Sequence, residues 1–293
     1  STMNNFIQNK IMPPMMKFLN TRAVTAIKNG MIYPIPFIII GSVFLILGQL
    51  PFQAGQDFMN KIKLGPLFLQ INNASFGIMA LLAVFGIAYA WVRDAGYEGV
   101  PAGLTGIIVH ILLQPDTIHQ VTSVTDPTKV STAYQVGGVI DRAWLGGKGM
   151  VLSIIVGLLV GWIYTGFMRR NITIKMPEQV PPGVARAFEV LIPTCLTAII
   201  IGAIGLVCQL ATGAELNALI FNVVQKPLQS LIGNNIFAVA ILYVIISLFW
   251  CVGIHGNNMV AAVKEPIFRP LLYANTAAYT SGAAQKDIPY VMN

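Results

Sequence analysis

The stretch Trp250-Cys251-Val252-Gly253-Ile254-His255-Gly256-Asn257-Asn258 is where residue types and spacing in this sequence come nearest to chemistry. Glycine on both sides of a histidine interrupts an apolar run, and a helix broken there frees backbone N–H and C=O groups. At membrane depth such groups are tolerated only where protein or a wet cavity satisfies them. With the His255 imidazole and the amides of Asn257 and Asn258, they suit a ligand rich in hydroxyls. Trp250 offers a flat apolar face to a sugar ring. The same pattern also fits a structural histidine near a helix end, with Gly253 and Gly256 serving close helix packing.

Other polar signals are weaker. His110 and His119 read as structural or solvated, and Gly146-Gly147 by itself reads as a turn. Cys195, Cys208 and Cys251 lie in apolar runs without CxxC spacing, the pattern of small buried hydrophobes. No disulfide framework, metal site or cofactor is implied. The eleven acidic residues all fall in loops or at the edges of apolar runs, Glu189 being nearest to an interior. Ion-coupled carriers place carboxylates or other ionisable groups inside the bilayer, and no such residue is visible here.

The elements that must position these residues follow from composition. Only 10% of the 293 residues are charged and 55% are hydrophobic, and the mean hydropathy is +0.70. A water-soluble chain of this length needs more charge to cover its surface. Crossing a hydrocarbon core by helix takes about 20 apolar residues. Charge-free runs extend from Asn29 to Gln56, Leu64 to Val92, Gly99 to Pro115, Gly149 to Met168, Val190 to Ala214 and Pro227 to Val263. They predict an all-α polytopic membrane protein with about six spans. The third run is short, and the last must include loop or a broken helix.

The stretch from Ser1 to Asn29 is polar and basic, so it reads as a surface segment rather than a targeting peptide. Lysine and arginine distribution, above all the Arg169, Arg170, Lys175 cluster, favours a cytoplasmic N-terminus. The net charge of +7 then reads as topology and contact with anionic membrane lipid, not as nucleic-acid binding. Residues 116–148 form a long polar connection that ends in Trp144-Leu145-Gly146-Gly147, and loops of that length are usually functional or disordered. Arg169 to Pro177 (RRNITIKMP) reads as a short basic strand-like segment.

Several of these motifs occur together in one family. Gly253-Ile254-His255-Gly256 after an aromatic-rich span, Arg169 to Pro177, Val180-Pro181-Pro182 and Leu191-Ile192-Pro193 resemble the membrane (IIC) component of the bacterial phosphotransferase system. The branch is that of lactose, cellobiose and diacetylchitobiose. Ala26-Ile27-Lys28-Asn29-Gly30 and Trp144-Leu145-Gly146-Gly147 fit the same branch, so the resemblance runs over essentially the whole chain.

The resemblance implies a sugar permease in the bacterial inner membrane, working as a homodimer with soluble IIB and IIA partners. It binds a β-linked disaccharide from outside and presents the 6-hydroxyl for phosphorylation by a phosphocysteine on IIB, so the phosphoryl transfer itself belongs to the partner. His255 matches the family's site histidine, as a sugar contact and a candidate general base, and Gly146 matches a backbone position lining the sugar pocket. The expected organisation is a cytoplasmic basic segment (1–29), a five-span dimerisation domain (30–214) and the start of a substrate-binding domain (215–293). Family members run to about ten spans, with a second site group, a glutamate in an Asn-Glu-Pro motif, in a part that this chain is expected to lack. Lys264-Glu265-Pro266 imitates that motif, but Glu265 reads as a solvated loop charge. Two rival classes stay open: an ion-coupled or facilitative sugar transporter, and a membrane interaction fragment that does not transport.

Overall fold

Met79–Asp94 is the helix around which the rest of the bundle packs, and its composition explains why. A helix apolar on all sides belongs inside a protein, and ten of its residues, from Met79 to Val92, are buried. The computed structural model describes residues 5–118, 136–227, 230 and 235–251. In chain order its main helices are α1 (Met12–Leu19), α2 (Arg22–Gly30), α3 (Ile35–Gly48), α4 (Gln53–Lys61), α5 (Leu64–Ser75), α6 (Met79–Asp94), α7 (Gly99–Leu112), α8 (Met150–Arg169), α9 (Pro182–Glu189), α10 (Leu191–Thr212), α11 (Leu216–Ile220) and α12 (Ile236–Cys251). Among the described residues the strands are β1 (Thr117–Ile118) and β2 (Val136–Gly137), which pair antiparallel with Thr117 opposite Gly137.

Helix α6 packs against α2, α7 and α8. Small residues set these approaches, as they do where helices meet in a membrane. A Cβ on Gly157 or Gly161 of α8 would press on Ile87 or Trp91. A Cβ on Gly30 would stand 2.5 Å from the Ile87 Cα, and one on Gly86 would strike the Gly30 carbonyl oxygen. Val24, Ala26 and Gly30 are buried. The end of the N-terminal segment, expected on the surface, therefore docks into the bundle through contacts that a basic composition does not reveal.

Three helical stretches among the described residues are long and apolar enough to cross a membrane: Leu64–Asp94, Gly147–Arg169 and Pro182–Thr212. Arg22–Gly30 and Ile35–Gly48 pass the same test as a pair bent by 43°. The third charge-free run forms only the 14-residue α7, about 21 Å long at 1.5 Å per residue. Part of the sixth run forms the 16-residue α12. Helix α10 lies at the edge, with Leu206, Val207 and Leu210 exposed. Cys195 is exposed as well and Cys208 half-exposed, which corrects the expectation of buried thiols: apolar surroundings in the sequence meant an outward helix face. The segment after Arg170 is irregular rather than strand-like, turning at Asn171 with φ +52°.

Candidate functional site

The long helix Leu64–Asp94 is not continuous. A 3-10 turn at Phe76–Ile78 separates α5 from α6. Ser75 Oγ donates to the Ile71 carbonyl at 2.7 Å, a back-bond that bends helices, and Gly77 follows. Against this break lies the loop that ends the polar connection. Asp141 caps a 3-10 turn over Arg142–Leu145 by accepting from the Ala143 N–H at 2.9 Å, and Gly146 ends that turn. A Cβ on Gly146 would stand 2.8 Å from the Gly77 carbonyl oxygen. Only glycine lets the two backbones meet this closely.

Between loop and break is an open cavity of about 450 Å³. Its polar lining includes Gln49, Asn72, Asn73 and Arg142 beside Gly146, and Leu45, Leu69 and Phe76 form its apolar part. Asn72 is buried, and its Nδ2 donates to the Gly41 carbonyl at 3.1 Å, tying α5 to α3. Amides, a guanidinium and apolar walls suit a hydroxylated ring. Among the described residues that line it there is no carboxylate, thiol or imidazole.

Three side chains from distant parts of the sequence hold the loop. Nε2 of the fully buried His110 lies 2.9 Å from the Trp144 carbonyl oxygen. A carbonyl only accepts, so the ring carries its proton on Nε2 and donates. Gln225 Nε2 donates to the Gly147 carbonyl at 2.8 Å, from a π-helical turn at Phe221–Gln225. Trp144 is edge-on to Phe221 at 5.9 Å, and Lys148 Nζ sits 4.3 Å from the Trp144 ring centre. A Cβ on Gly149 would collide with the Trp144 carbonyl and stand 3.3 Å from His110 Nε2.

Of the residues proposed from the sequence to bind sugar, the structure gives surroundings for Gly146 alone. Trp250 falls in the last turn of α12 by its backbone, and its side chain, His255, Gly256 and Asn257 lie outside the described residues, as does His119. His110 takes the structural role expected of it, in the service of the Gly146 loop. Asn72, Gln225 and Lys148 were not singled out in the sequence. Each is a polar residue in or beside an apolar run, and that signal is not specific. Among the described residues no group of three His, Cys, Asp or Glu side chains is placed to hold a metal.

Fold and composition define a polytopic helical membrane protein. The family model described as "Phosphotransferase system, EIIC" matches residues 28–293, and the chain belongs to that family. It is similar to the putative permease IIC component YwbA of Bacillus subtilis strain 168, 32% identical over 98% of this chain and 64% of that protein. It is also similar to the oligo-beta-mannoside-specific EIIC component of the same organism, 31% identical over 98% of this chain and 62% of that protein. Among solved structures it matches ChbC, the IIC component of the N,N'-diacetylchitobiose-specific system, with a TM-score of 0.83 and 29% identity over 98% of this chain and 65% of that one. The chain thus spans less than two thirds of the length of these relatives.

Proposed function

We propose that this protein is the sugar-carrying permease of a phosphoenolpyruvate-dependent phosphotransferase system. It takes a β-linked disaccharide of the cellobiose, chitobiose or lactose type and exposes it at the cytoplasmic face, where a IIB partner phosphorylates the 6-hydroxyl. The family match over residues 28–293 is the observation that carries this reading. The names of the relatives specific for oligo-beta-mannoside and diacetylchitobiose support the substrate class, and the amide-lined cavity at Gly146 is chemically apt for it. In this reading His255, Gly256, Asn257 and Trp250 supply the other contacts, and the His255 imidazole takes the proton of the reacting hydroxyl.

Phosphorylation replaces ion coupling, because a charged sugar phosphate does not leak back through apolar walls. Residues 30–214 serve as the dimerising platform and residues 215–293 begin the substrate-binding unit, with residues 1–29 cytoplasmic. His255→Ala in the full-length transporter, assayed in membranes from cells that make it together with IIB, IIA and the phosphorelay, tests the assignment. Loss of sugar phosphorylation with normal membrane insertion is expected; phosphorylation at the rate of the parent protein overturns the role of His255.

A further inference from the structure

A second cavity, of about 510 Å³, opens at the end of the bundle where α2 begins and α6 and α8 finish. Arg22, Trp91, Trp162, Thr165, Arg169 and Arg170 line it, and among the described residues no acidic one does. On α8 the residues Trp162, Thr165, Gly166 and Arg169 follow the three- and four-residue spacing of one helix face. Arg22 comes from the segment before the first span and stacks on Trp91, its guanidinium carbon 5.0 Å from the ring centre. Stacking occupies the face of a guanidinium and leaves its edge free to donate.

Three donors at this cavity are buried without a hydrogen-bond partner: Arg22 Nη2, Trp91 Nε1 and Thr165 Oγ1. Trp91 is 9% exposed and Thr165 2%. A buried donor left unpaired is unfavourable, so three such groups on one cavity point to an acceptor they are built to meet. Charge points the same way. Among the described residues the salt bridge is Arg93 to Asp94, and none of Arg22, Arg169 and Arg170 is in an ion pair. Arg170 Nη1 donates only to the Gly166 carbonyl of its own helix, at 3.3 Å.

Depth identifies the source of the acceptor. Trp162 is 65% exposed beside these arginines, and tryptophan at a span end marks the membrane interface. At an interface a lipid phosphate is the acceptor at hand, and basic pockets between spans take anionic headgroups. We propose that this cavity is a binding site for the phosphate headgroup of an anionic phospholipid, which bridges the N-terminal helix to the ends of α6 and α8. The proposal does not depend on the sugar, since the Gly146 cavity has a separate set of lining residues.

Native mass spectrometry of the detergent-purified protein, titrated with phosphatidylglycerol and separately with phosphatidylcholine, tests it. The parent protein retains phosphatidylglycerol preferentially, and Arg22→Gln and Arg169→Gln each weaken that retention about fivefold, as expected for loss of one cationic contact. Arg170→Gln, which changes an exposed side chain, supplies the same reading if Arg22→Gln does not fold. Equal retention of phosphatidylglycerol by parent and variants overturns the site. Displacement of the lipid by millimolar inorganic phosphate overturns the lipid as its source and assigns the cavity to a free anion.

Discussion

His110 and Trp144 are joined by a hydrogen bond of 2.9 Å from the imidazole Nε2 to the backbone carbonyl, across 34 positions of sequence. The bond fixes the start of the loop that carries Gly146, and through it one wall of the amide-lined cavity. His110→Ala leaves the Trp144 carbonyl without its donor in a buried setting, at a cost of about 1–3 kcal/mol. A lower midpoint of thermal unfolding in detergent is the expected result, with His110→Gln, which keeps an N–H donor, recovering part of it. An unchanged midpoint in His110→Ala would show that the bond does not hold the loop.

Gly146→Ala puts a methyl group 2.8 Å from the Gly77 carbonyl. Either the loop or the helix break must shift, a strain of about 1–3 kcal/mol. Sugar affinity, read by equilibrium binding, drops by about tenfold as the cavity wall moves. Binding as tight as that of the parent would separate Gly146 from the sugar site.

Asn72→Asp replaces the donor to the Gly41 carbonyl with a group that, ionised, only accepts. The variant loses about 1–3 kcal/mol of stability, seen as a lower midpoint of unfolding. Asn72→Gln, with the same amide on a longer arm, is milder.

Gly86→Val drives a side chain into the Gly30 carbonyl and separates α2 from α6. Limited proteolysis should then cut the chain near Arg22 faster than in the parent. Because Arg22 lines the basic cavity, preference for anionic lipid should fall in the same variant.

Much of the architecture was readable from charge spacing, because a bilayer span must be apolar for its whole length. The run from Leu64 to Val92 became α5 and α6, and that from Gly149 to Met168 became α8. The break at Phe76–Ile78 was not readable from charge spacing, because the run is charge-free throughout and the polar Gln70, Asn72, Asn73 and Ser75 that precede it do not fix where the helix turns. Docking of α2 was hidden for a different reason, since Gly30 meets Gly86 only in three dimensions. Gly146 was reached through family resemblance, whereas His110 and Gln225 act on its loop from 34 and 78 positions away. No local pattern records such pairings.

The chemical form in which sugar arrives inside separates group translocation from carriage of free sugar. Vesicles carrying the full-length transporter, loaded with IIB, IIA and the phosphorelay, are given a radiolabelled β-linked disaccharide with and without internal phosphoenolpyruvate. The 6-phosphate accumulates only when phosphoenolpyruvate is present, and none accumulates in His255→Ala. Unmodified disaccharide accumulating in vesicles without phosphoenolpyruvate would contradict group translocation.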